Sequence, residues 1–81
     1  MFRKLVKAAE IEVEGTCYTI RYFEVTTMRG GRRFCCEVLL AAADQIILDD
    51  DSISSLESKV ARLAPATIYS RLLAARPSVA A

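Results

Sequence analysis

The chain has 81 residues, 53% of them apolar and 26% charged, with a formal net charge of +1. That length supports one small domain and excludes a TIM barrel or a full doubly wound nucleotide fold. The apolar content excludes a disordered chain, and the charge excludes a general polycationic coat for nucleic acid.

At the N-terminus Phe2, Leu5 and Val6 alternate with Arg3, Lys4 and Lys7. No apolar run follows these charges, so the segment reads as neither a secretory signal nor a membrane span, and the expected location is cytoplasmic with no membrane insertion. Ile11 and Val13 then alternate with Glu10, Glu12 and Glu14, which predicts a strand over Ala9 to Glu14 with one wet face. Glu14-Gly15 predicts a two-residue turn that sets Val13 against Thr16, Ile11 against Tyr18 and Ala9 against Ile20.

The second strand, Thr16 to Met28, is rich in β-branched and aromatic residues. Its apolar positions slip, from Tyr18, Ile20 and Tyr22 to Phe23 and Val25. Either a β-bulge near Arg21 to Phe23 gathers both sets on one face, or the slip is real and both faces carry apolar groups. Gly30-Gly31 predicts a hairpin tip, and a two-residue loop there pairs Val25 with Cys36, Phe23 with Val38 and Thr27 with Phe34. This register sets Glu24 against Glu37, an unfavourable like-charge pair that warns of a misplaced register.

After a link at Ala42 to Asp44, Gln45 to Leu48 reads as a fourth short strand, with a three-stranded sheet as the alternative. Asp51 or Ser52 is placed to cap a helix whose apolar stripe is Ile53, Leu56, Val60, Leu63 and Ala64. Pro65 either kinks that helix or starts a second one through Ala75. Pro77 ends it, and residues 76–81 are expected to be a loose tail.

The expected fold is therefore a single α+β domain over residues 1–81, an antiparallel β-meander of three or four strands followed by one kinked or two C-terminal helices packed on the sheet. Its expected core is Ile11, Val13, Ile20, Phe23, Val25, Phe34, Val38, Leu40, Ile47, Ile53, Leu56, Val60 and Leu63.

No histidine is present, so Ser-His-Asp and Cys-His catalysis are impossible. There is no phosphate-binding loop, and the acidic cluster Asp44, Asp49, Asp50 and Asp51 reads as a turn and helix cap rather than a cation site. Cys17, Cys35 and Cys36 read as reduced, half-buried thiols in a reducing compartment. No catalytic residue, cofactor or metal is expected.

Two functions fit this pattern. The first is a non-enzymatic binding or assembly module whose partner is another protein or a second copy of the chain, because Tyr22, Leu39, Met28, Tyr69 and Leu73 find no place in a one-sided core. The second is nucleic-acid binding through Arg29, Arg32 and Arg33 at the hairpin tip, with Lys59 and Arg62 on the basic helix.

Overall fold

Glu14 and Gly15 both take left-handed backbone, with φ of 53° and 79°. That is the geometry of the tight hairpin turn whose twist matches the flanking strands. In the computed structural model, which describes residues 3–75, this turn joins β1 (Arg3–Val13) to β2 (Thr16–Thr26). The pairs Val13–Thr16, Ile11–Tyr18 and Ala9–Ile20 form as expected. β3 (Arg32–Ala41) and β4 (Asp44–Asp50) complete an antiparallel sheet in the order β1-β2-β3-β4, and α1 (Ile53–Ala75) packs on it. The fold is an α+β meander with all four strands. The expected tail at 76–81 lies outside the described residues.

β1 begins six residues earlier than its glutamate alternation suggests, at Arg3 rather than Ala9. The pairing irregularity lies on this edge strand, between Leu5 and Lys7, and not near Arg21 to Phe23 as one expectation had it. β2 is hydrogen-bonded on both sides, so an extra residue there would break two ladders, whereas a bulge on an edge breaks one.

The second hairpin also differs from expectation. Val25 pairs with Arg33 rather than Cys36, and Phe23 with Cys35 rather than Val38. The connection is the longer loop Thr27–Gly31. It is closed by Thr27 N–H donating to the Gly31 carbonyl at 2.8 Å and Gly31 N–H donating to Thr27 Oγ1 at 3.0 Å. Only Gly30 takes the left-handed conformation, φ 80°. The new register removes the Glu24–Glu37 conflict, because Glu37 now lies opposite Arg21.

On one face of the sheet Tyr18, Ile20, Tyr22, Cys36, Val38 and Ile46 meet Leu56, Val60, Ala64 and Ile68 of α1. Strict alternation puts Ile46 in this core and leaves Ile47 on the opposite face, 59% exposed, which corrects its assignment to the core. Phe23 and Val25 share that opposite face with Cys35 and Arg33. On the helix the buried stripe runs through positions four apart, so Leu63 falls at its flank and is exposed rather than buried.

Ser52 is the N-cap. Its Oγ accepts from Ser55 N–H at 3.1 Å, and its carbonyl accepts from Leu56 N–H at 3.0 Å. Pro65 lies inside one continuous helix, not between two. Its ring forfeits the bond to the Ala61 carbonyl, but Ala64 and Ile68 on either side are both buried against the sheet, and that packing outweighs the local preference.

Replacing Leu56 by Ala is expected to lower the unfolding free energy by about 2–5 kcal/mol. Replacing Leu63 by Ala should change it by less than about 1 kcal/mol. Urea denaturation of the two variants checks which side of α1 faces the sheet.

Candidate functional site

A pleated strand presents alternate residues to opposite sides. Once Tyr18, Ile20 and Tyr22 are committed to the helix, Arg21, Phe23 and Val25 must point the other way. Among the described residues no segment covers that second face. Its rows follow from the register: Leu5, Phe23, Cys35 and Asp49 in one, and Ala8, Arg21, Glu37 and Ile47 in the next.

Phe23 is nevertheless only 7% exposed. The guanidinium of Arg3 lies over its ring at 4.0 Å and that of Arg21 at 5.8 Å. Both arginines converge on Glu37. Arg3 Nη1 donates to Oε2 at 2.7 Å and Arg21 Nη2 to Oε1 at 3.0 Å. Glu37 is therefore 5% exposed on a face that lacks a protein layer. Each carboxylate oxygen has its own cation, which offsets the cost of burying the charge. Arg21 Nε is buried without a hydrogen-bond partner. Around this ionic patch lie apolar side chains that nothing covers: Leu5 is 54% exposed and Ile47 59%. Covering either one fully would be worth roughly 1 kcal/mol.

The expected interface residues do not come together. Tyr22 is buried between sheet and helix, with Lys7 Nζ 5.1 Å from its ring centre, so it is core rather than interface. Burial pushes its hydroxyl pKa up, with help from neighbouring Cys36 and Glu57. Leu39 lies half-buried on the open sheet face. Tyr69 and Leu73 lie on the outer side of α1, exposed, and Met28 is exposed at the hairpin tip. Ile47 and Leu5 were missed as surface groups. The alternation of Gln45-Ile46-Ile47-Leu48 could have flagged one of the two isoleucines as outward, but not which one.

Of the expected nucleic-acid contacts, Arg29 is at the loop tip and Arg62 on the helix, and neither forms an ion pair among the described residues. Arg32 is paired with Glu24 at 3.5 Å and Arg33 with Asp49 at 2.8 Å. Hydrogen bonding to Asp49 holds the Arg33 pKa above its ordinary value. Lys59 reaches Asp50 at 3.3 Å and donates to the Asp49 carbonyl at 2.8 Å. Asp50 is held below the ordinary carboxylate value, first by the Asp51 N–H and then by Lys59. Among the described residues no three of Cys, Asp or Glu cluster as metal ligands.

A cleft of about 250 Å³ opens between the end of α1 and the sheet, lined by Tyr18, Leu40, Ile68, Leu72 and the Asp44–Arg71 ion pair. That is small for a site that encloses an organic substrate, which takes about 300–1,000 Å³. Among the described residues no helix is long and apolar enough to cross a membrane. Comparison with protein-family models, curated proteins and solved structures finds no match to the chain.

Two outcomes follow from these surroundings. Glu37→Gln strands two guanidiniums over Phe23, and because both arginines are partly solvated the expected cost is about 1–3 kcal/mol in urea denaturation. Burial also pushes the Cys36 and Cys35 thiols up. The unfolded chain then ionises its thiols first, so stability is intact below the ordinary thiol range and falls as pH rises past about 8.5. Cys36→Ala should make that alkaline fall shallower.

Proposed function

We propose that the chain is a non-enzymatic binding module that engages a protein partner through the open face of its sheet. The observation that carries this reading is the pair of exposed side chains Leu5 and Ile47 flanking Phe23 on a face without a covering layer. Exposed apolar side chains set beside arginines are the composition of a protein-binding patch. The radius of gyration, 14.8 Å, exceeds the roughly 12 Å of a compact domain of this length, as suits a unit that is completed by association. A reducing compartment such as the cytoplasm suits three unpaired thiols, one of them buried as an apolar side chain.

Nucleic-acid binding ranks second. Arg32 and Arg33 are each held by a carboxylate, and Glu37 and Asp49 stand among the basic groups of the open face. DNA binding that falls steeply with salt and is lost in the Arg29→Ala, Arg32→Ala, Arg33→Ala variant would reverse this ranking.

A photo-crosslinking side chain at position 47, in the full chain expressed in cells, is expected to yield discrete protein adducts. The same group at position 73, on the outer side of α1, should yield none. Equal adducts at both positions, or none at 47, would overturn the proposal.

A further inference from the structure

We infer that the partner is a second copy of this chain, packed face to face over the open sheet about a two-fold axis parallel to the strands, between β2 and β3. This inference rests on the open-face reading above. Rotation about such an axis lays β1 of one copy over β4 of the other and β2 over β3, row on row. In the row of Ala8, Arg21, Glu37 and Ile47, Arg21 of each copy then meets Glu37 of the other, and Ile47 stands over Ala8. The exposed isoleucine is set against the smallest side chain of its row, so a protrusion meets a hollow. One row on, Phe23 meets Cys35. In that same row Leu5 of each copy comes over Asp49 of the other.

These pairings put unlike charges together in the row of Arg21 and Glu37 and set no like charges opposite in either row. An axis perpendicular to the strands through the same row would set Arg21 on Arg21 and Glu37 on Glu37. Self-complementarity of this kind is what an isologous dimer requires, and a different partner does not require it. The size is sufficient. Four strands about 4.8 Å apart, over about 27 Å of strand, give roughly 500 Å² of face per copy. The pair then buries about 1,000 Å², the lower bound of a specific interface.

The test is light scattering of the full chain with reductant, over a wide concentration range, on the parent and on Ile47→Arg, Ala8→Lys and Leu73→Arg. Residues 8, 47 and 73 are all exposed, and circular dichroism checks that each variant keeps its fold. A parent dimer whose dissociation constant rises at least 100-fold in both Ile47→Arg and Ala8→Lys, but not in Leu73→Arg, is expected. In a Cys17→Ser, Cys35→Ser background, Ala8→Cys with Ile47→Cys should close into a covalent dimer on oxidation, while Ile47→Cys alone should not. A parent that stays monomeric overturns the inference and leaves the open-face reading to its crosslinking test. A dimer indifferent to Ile47→Arg overturns it, and crosslinking through Ile47→Cys alone overturns the axis.

Discussion

β2 carries the constraint from which the rest of this structure follows. It is bonded on both sides, to β1 and β3, and runs from Thr16 to Thr26 without a break in its pleat. Its aromatic residues therefore divide. Tyr18 and Tyr22 face the helix, and Phe23 faces away. One helix can cover one face. The second face must be handled by other means, and the chain does so with charged side chains rather than with a second layer.

Arg3, Arg21 and Glu37 supply that cover. Guanidinium planes shield an aromatic ring well because they are weakly hydrated and lie flat on it. They leave the surrounding Leu5 and Ile47 untouched, so the cover is partial. The same device explains why a carboxylate can be buried where no protein layer lies above it: Glu37 is enclosed by the stems of its own counter-charges. The ionic patch is thus both a shield for Phe23 and a polar centre within an apolar surround.

Much of this was legible in the residues. Period-two alternation in Ile11 and Val13, the Glu14-Gly15 turn, Ser52 as a candidate cap and the Leu56–Val60 stripe each have a single cheap solution, and the structure adopts it. The Gly30-Gly31 hairpin did not, because two glycines are compatible with several loop lengths. The like-charge pair Glu24–Glu37 was the sign that the tight loop was wrong. Both apolar faces of β2 were readable as one of two alternatives, but a bulge on neighbouring β1 leaves no trace in the sequence of β2. Pro65 left one helix or two open, since the loss of one helical bond is local whereas the burial of Ala64 and Ile68, which decides for one, is tertiary. The open face was illegible as a site. It is assembled from residues distant in the chain, Arg3, Arg21 and Glu37, none of which belongs to a motif.

The meander has a consequence for how the chain reaches this state. Every strand pairs with its neighbour in sequence, so the sheet needs only short loop closures and can form early. The helix that seals its core follows the last strand, so during synthesis it is the last element to become available. Until then a nascent sheet is greasy on both sides, with Tyr18, Ile20 and Val38 open on one and Leu5 and Ile47 on the other. The charged and bulged outer strand β1, together with the aspartates that close β4, then keeps such sheets from joining edge to edge while they wait for their lid.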